Sequence, residues 1–332
     1  MWKTIVRRFL IMIPQLLVLS ILIFILANLM PGDAIRGMVG PDTPPELIDH
    51  LREIHGLNDP WYIQYVRWMQ NLIIHQDFGN SITFGRPVTD IVAGRMMNTV
   101  RLSALTTLFT YIIAIPLGLL AGRKNGKTVD KGIMLYIFIA LSMPTVVLAL
   151  VNLWLFGFGV DVSIFGFAFN TGIFPQTGSV DARAVAGTAE YFFSRMRHLI
   201  LPAITLASIS TTGIIYFLRS EIIDYENSDF VLTARSKGVP EKNIYKNHIL
   251  RNAFLPIAGG MGGIIAGLFG GSIFLETIFS YPGMGDLFIT SIVGRDFPVV
   301  NMLIVFYAVL SVVSMLLSDI IITIVDPRIR IK

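Results

Sequence analysis

Apolar residues in this chain gather into long runs, not into the alternating or 3.6-residue patterns of a soluble core. Six runs stand out, at about 9–30, 99–121, 132–157, 199–220, 255–277 and 299–325. Each supplies about the 20 mostly apolar residues that a helix needs to cross roughly 30 Å of hydrocarbon. The pattern predicts six transmembrane helices. The first run follows "MWKTIVRR" and continues to "NLMPGD" without a small-residue cleavage site. It reads as a retained span and not as a removed leader.

Polar positions set the orientation. With the N-terminus inside, the inner segments hold 16 of the 26 Lys and Arg residues. All eight lysines fall there, from Lys3 through Lys124, Lys127, Lys131, Lys237, Lys242 and Lys246 to Lys332. The outer segments hold only arginines. Basic loops stay on the cytoplasmic side, so both termini are expected inside.

Composition agrees with a membrane protein. Charged residues make up 14% of the chain, against roughly 25% in soluble domains. A net charge of +4 and a pI near 9.3 follow from this topology and need no nucleic acid. The absence of cysteine excludes disulfides, thiolate metal sites and a Cys nucleophile. The spacing of His50 and His55 does not place two ligands on one helix face, so no metal site is expected.

The stretch "AGRKNGKT", Ala121 to Thr128, loosely fits a phosphate-binding loop. Ala121 stands where the strict pattern needs Gly. Such a loop must also join a buried strand to a helix, and here it joins two spans. It reads as a short basic cytoplasmic turn, so any ATP would be hydrolysed by another subunit.

Four regions follow: a first span (1–30), an outer loop region (31–97), a five-span core (98–325) with an inner loop at 224–254, and a tail (326–332). In the outer region, "TPPELIDHLREIHGL" and "DPWYIQYVRWMQNLI" each begin with helix-start signals, Thr43–Pro44–Glu46 and Asp59–Pro60. Trp61, Tyr65 and Trp68 recur at helical spacing. They form either a docking surface for an external partner or an interfacial helix at headgroup level. The second outer loop, about 158–198, offers no catalytic cluster.

The inner loop is too polar to span and too long for a simple turn. "SDFVLTARSKG" predicts a short helix capped by Ser228 or Asp229 and stopped by Gly238 in the left-handed conformation. "PEKNIYKNHILRNAFLP" predicts a second helix from Pro240. Two short helices at the inner face form either a docking knob for a soluble partner or a solvated linker.

This loop resembles the cytoplasmic motif of ABC-importer permeases, whose usual form is Glu-Ala-Ala, three residues, then Gly. Ala234 and Gly238 match it, whereas Leu232 and Thr233 replace the first Glu-Ala. "TARSKG" followed by "RNAFLP" is similar to the variant in the oligopeptide/dipeptide branch. "NLMPGD", "FSYPGMGDLF", "GRDFPVV" and the closing "IVDPRIRIK" resemble the same branch, as does "LREIHGLNDPWYIQYVRW". The resemblance runs nearly end to end and is nearest to the oligopeptide permease B type.

The resemblance implies an all-α type I importer permease that pairs with a second, homologous permease and with two ATPase subunits. A separate extracellular binding lipoprotein would deliver oligopeptide. The chain would hold no cofactor of its own, and the partner subunits would bind ATP. The residues implied at the ATPase contact are Leu232, Thr233, Ala234, Arg235, Lys237, Gly238, Val239, Lys242 and Tyr245. Related permeases carry dipeptides, nickel or glutathione, so the cargo is open at this point.

In the fifth span, Gly259, Gly263, Gly267 and Gly271 recur at four-residue intervals and form one ridge for close helix approach or for a gate. Prolines at 116, 144 and 202 are expected as kinks within spans. Asp319, near the inner end of the last span, is expected in a structural ion pair. Glu276 and Arg101 are expected to reach headgroups or water. A proton-driven transporter would want midplane carboxylates in an inverted repeat, which the pattern does not offer. A membrane enzyme would need a convergent catalytic set, also missing from the sequence.

Overall fold

Long apolar runs leave the backbone no partner in lipid except itself, so they fold as helices. The computed structural model describes residues 2–29, 43–54, 58–75, 77–164, 167–254, 257, 267 and 272–325. Three of the expected spans lie in helices long and apolar enough to cross a bilayer: α4 (Val88–Arg123), α7 (Ala189–Glu226) and α13 (Phe297–Val325). The first span lies in α1 (Trp2–Leu29). Two short helices follow it, α2 (Pro45–Ile54) and α3 (Trp61–Gln70), the latter prolonged by a π-helical turn over Asn71–His75. Both α4, at 36 residues, and α7, at 38, are longer than the roughly 20 residues a span needs. Helix α4 begins at Val88, inside the stretch expected as outer loop, and α7 continues to Glu226.

The third expected span is not straight. It divides into α5 (Thr128–Ser142) and α6 (Thr145–Asn152, prolonged by a π-helical stretch, Leu153–Gly159), and the two halves meet at 104°. Pro144 explains the break. Its ring disfavours helical backbone in the residue before it, and Met143 is extended at φ −91° and ψ 125°. Pro116 and Pro202, in contrast, sit inside continuous helices.

The second outer loop carries a short hairpin beside the helices. There the strands β1 (Asp161–Ile164) and β2 (Phe167–Asn170) pair antiparallel, with Asp161 opposite Asn170. Beyond α7 come α8 (Asp229–Ser236), α9 (Glu241–Asn243), a π-helical stretch (Ile244–Ile249) and α10 (Leu250–Ala253). Then α11 (Ile273–Ile278) and α12 (Met284–Val293) lead into α13. Of the fifth expected span, the described residues include only Ile257, Gly267 and the segment from Ser272.

Helices α4 and α7 form the centre of the molecule and run side by side in the same direction. Gly118 faces Leu218 and Gly122 faces Ile222. A Cβ at Gly122 would lie 2.7 Å from Ile222 Cγ2, inside any allowed contact. Glycines four apart on α4 therefore set how closely the two helices approach. The N-terminal half of the pair packs with Leu275, Phe279 and Tyr281 around Leu102, Leu199 and Leu201. The C-terminal half continues into the short helices after α7.

Candidate functional site

The inner loop folds as a braced helical hairpin. Helix α8 begins after Ser228, as expected, but no side chain caps it there. Ser228 Oγ instead donates to Tyr225 O at 2.6 Å. The end of α8 follows the sequence pattern closely. Gly238 adopts φ +74°, its N–H donates to Arg235 O at 2.9 Å, and Val239 N–H donates to Ala234 O at 3.2 Å. These two bonds form a Schellman ending, which satisfies carbonyls that the helix leaves open. No atom lies within 4 Å of a Cβ built on Gly238. Glycine is favoured there by backbone conformation and not by crowding.

Pro240 then opens α9, and the chain returns across the C-terminal ends of α4 and α7. Val231, Ile244, Ile249 and Ala253 are fully buried against Leu218 and Ile222. Tyr245 carries the polar brace. Its hydroxyl donates to Glu226 Oε1 at 2.6 Å, and its ring lies 4.7 Å below the Arg123 guanidinium at the end of α4. Burial, then the bond to Glu226, pushes the Tyr245 phenol up to about 12, so it remains a donor at physiological pH. Arg235 bridges the hairpin internally, 2.7 Å from Glu241 Oε1 and 3.6 Å from Glu226 Oε1. The guanidinium holds the Glu241 carboxyl below its ordinary range.

The nine residues expected at a partner contact therefore divide by role. Leu232, Thr233, Lys237, Gly238 and Lys242 are exposed, as is Phe230. Ala234 and Tyr245 face inward, and Arg235 and Val239 are half-buried between the two helices. The sequence motif thus mixes residues that build the hairpin with residues that it presents.

Of the expected glycine ridge, only Gly267 is among the described residues. Gly259, Gly263 and Gly271 lie outside the described residues, as does the side chain of Asp319. Gly267 is exposed, and a Cβ added there would meet nothing within 4 Å among the described residues.

The basic turn "AGRKNGKT" is tied down by a pair that no local pattern reveals. Gly126 adopts φ +76° and its N–H donates to Asp130 Oδ2 at 2.8 Å. Arg219, from α7, grips Asp130 through two bonds at 2.6 and 2.8 Å and donates to Asn125 Oδ1 at 2.8 Å. The segment is a turn between α4 and α5 with no strand before it. This is not a phosphate-binding architecture.

At the other end of the molecule, "FSYPGMGDLF" forms a buried knot. Glu276 is fully buried and does not reach headgroups or water. Its carboxylate accepts from Thr99 Oγ1 at 3.0 Å, Gly285 N–H at 2.7 Å and Asp286 N–H at 3.1 Å. It thereby caps the start of α12, where unpaired N–H groups favour negative charge. Arg95 pairs with Asp286 at 2.9 Å, and Tyr281 donates to Asn98 O at 3.1 Å. A second buried carboxylate, Asp296, accepts from Ser81 Oγ and from the N–H groups of Ile82 and Thr83. These contacts lock α11, α12 and the start of α13 onto the N-terminal end of α4 and the loop before it.

Residues 114–331 match the family described as binding-protein-dependent transport system inner membrane component, and residues 1–103 match the N-terminal region of such membrane components. The chain belongs to this family and is a multi-pass protein of the bacterial plasma membrane. It is 39% identical, over 98% of both chains, to the oligopeptide transport system permease protein AppB of Bacillus subtilis. It is 30% identical to the glutathione transport system permease protein GsiC of Shigella flexneri, over 100% of both chains. It is also 30% identical to the dipeptide transport system permease protein DppB of Alkalihalophilus pseudofirmus, over 98% of both. These relatives are permease subunits, which agrees with the sequence resemblance.

Proposed function

We propose that this chain is a permease subunit of an ATP-driven importer for oligopeptides, and that α8 and the turn at Gly238 dock an ATPase subunit. The observation that carries this reading is the braced hairpin. Its exposed residues Leu232, Thr233, Lys237, Gly238 and Lys242 stand on a base that is packed onto α4 and α7 together. Force applied to the exposed surface is transmitted to two membrane helices at once. A second homologous permease, a second ATPase and an extracellular binding protein complete the assembly. ATP-driven closure of the ATPases then biases the bundle between inward- and outward-facing states through differential contacts in each state. The chain is a transport subunit, and its partners perform the hydrolysis.

A six-span topology with both termini inside belongs to the same reading. Helices α4 and α7 run in one direction, so the bent pair α5–α6 returns the chain to the outer side between them. The lysine distribution favours a cytoplasmic hairpin. Peptide cargo rests on the similarity to the oligopeptide permease of Bacillus subtilis. The dipeptide and glutathione relatives make smaller peptides the second reading, because their similarity covers the chain as fully.

The chain has no cysteine, which makes the contact directly testable. Lys237→Cys, joined to a bifunctional thiol reagent in inverted membrane vesicles, is expected to cross-link to an ATPase subunit. Asn58→Cys, in the outer region, is the control. If Lys237→Cys cross-links only to unrelated proteins, the docking assignment is overturned.

A further inference from the structure

Helix α3 and the π-helical turn after it have two unlike faces. One is turned toward α1. The Tyr65 hydroxyl lies 2.7 Å from Ser20 Oγ, the Tyr65 ring meets the Phe24 ring edge-on at 5.5 Å, and the Trp68 indole lies 5.8 Å from Phe24. Away from that face Tyr62, Val66, Ile73 and Ile74 are each more than half exposed, as is Trp61, one turn before Tyr65. The cation on this helix, Arg67, is paired with Asp59 at 2.9 Å. Pro60 holds the N-cap position, and no side chain caps α3 there, contrary to the sequence expectation for Asp59.

The contacts with α1 fix the depth of this exposed face. Helix α1 ends at Leu29. At about 1.5 Å per residue, Phe24 lies about 8 Å below that end and Ser20 about 14 Å below it. The backbone of α3 is within one aromatic side chain of Phe24. It therefore sits beside α1 and not above it, level with residues of the apolar run expected to span at 9–30. Interfacial helices lie about 5–10 Å into the boundary between headgroups and acyl chains, which is the same level.

We propose that α3 is an in-plane helix of the outer leaflet and that its exposed Trp61, Tyr62, Val66, Ile73 and Ile74 side chains contact phospholipid acyl chains. The occupant of this apolar face is lipid. A soluble protein docking from the aqueous side would not reach a face at that level. The helix acts as a float that holds the outer loop region at the membrane surface and fixes the tilt of α1 through Ser20 and Phe24. The proposal rests on α1 being a span and is independent of the transported cargo.

The test uses the complete transporter complex in phosphatidylcholine–phosphatidylglycerol vesicles. Tyr62→Cys and Ile74→Cys replace exposed residues and carry a nitroxide label, with Asn58→Cys as the reference in water. Oxygen concentrates in hydrocarbon, and a charged nickel chelate stays in water. The expected result is that relaxation by oxygen exceeds relaxation by nickel at positions 62 and 74, with the reverse at 58. Stronger relaxation by nickel at 62 and 74 would place the face in water and overturn the proposal. Weak relaxation by both would mean that another protein covers it, which also overturns the proposal. As a second measurement, phospholipid brominated in its acyl chains is expected to quench tryptophan emission, and Trp61→Phe is expected to reduce the quenched fraction. Unchanged quenching in Trp61→Phe would count against lipid contact. Uptake by the same labelled complexes reports separately on the proposed function.

Discussion

Gly238 offers the sharpest test of the inner hairpin, because the cost of replacing it follows from backbone geometry alone. Its φ of +74° is left-handed, and no neighbour lies within 4 Å of an added Cβ. Gly238→Ala thus adds only the conformational penalty, about 1–2 kcal/mol for an L-residue in this region. That corresponds to a factor of roughly 5–30 in the population of the native turn. Gly238→Asn is expected to cost less, since Asn visits this region more readily. Gly238→Pro does more damage. Proline holds φ near −65° and lacks the N–H that donates to Arg235 O at 2.9 Å. The turn cannot form, and α8 loses its Schellman ending. The assay is peptide uptake by proteoliposomes, with the amount of ATPase retained by each variant measured in parallel. Membrane insertion is expected to be unchanged throughout. Activity should fall in the order Gly, Asn, Ala, Pro, with Pro inactive. Normal uptake by Gly238→Pro, or a worse result for Ala than for Pro, would show that the left-handed turn is not what couples the hairpin.

Three further outcomes follow from the packing. Glu276→Ala strands the N–H groups of Gly285 and Asp286 and the Thr99 hydroxyl, at about 1–3 kcal/mol for each buried group; Glu276→Gln keeps an acceptor, so thermal unfolding in detergent should place Gln well above Ala, and equal melting temperatures would contradict the knot. Gly122→Ala should lower the melting temperature by forcing α4 away from Ile222, and Ile222→Ala in the same chain should restore part of the loss. If Ile222→Ala only adds to the damage, the close contact is not what limits the helix approach. The Tyr245 phenol is raised in the folded state from the ordinary value of 10.0 to about 12. Its contribution is complete below pH 10 and is lost as pH rises through 12. A nitroxide at Lys242→Cys should therefore gain mobility across that window, and a transition of the same size in Tyr245→Phe would assign it to another group.

How much of the structure is legible in the sequence depends on the range of the interactions. The hairpin is legible because its signals are local. Gly238 stops α8, Pro240 starts α9, and the bonds that close the turn join residues at most five apart. The spans are legible because hydrocarbon imposes a length and a composition on each segment. Pro144 announces a kink, but its effect on Met143 breaks the segment by 104°. How far a proline bends a helix depends on what packs around it. Glu276 is buried and not at the headgroups because its partners come from distant positions. Thr99 is far away in sequence, and the donors of α12 follow a turn whose path no local pattern fixes. The pairing of Asp130 with Arg219 is invisible in the sequence for the same reason. Ser228 shows the converse, since a residue of the right type at the right position directs its hydroxyl backward to Tyr225.

Whether this chain works as the membrane half of an ATP-driven importer is decided most directly by purifying the tagged protein in mild detergent and assaying ATPase activity on the eluate. A second permease and two ATPase subunits are expected to co-purify, and a peptide-loaded binding protein is expected to raise the activity. If the protein instead elutes alone, and vesicles take up substrate with a proton gradient and no ATP, the chain is not an importer subunit of this kind.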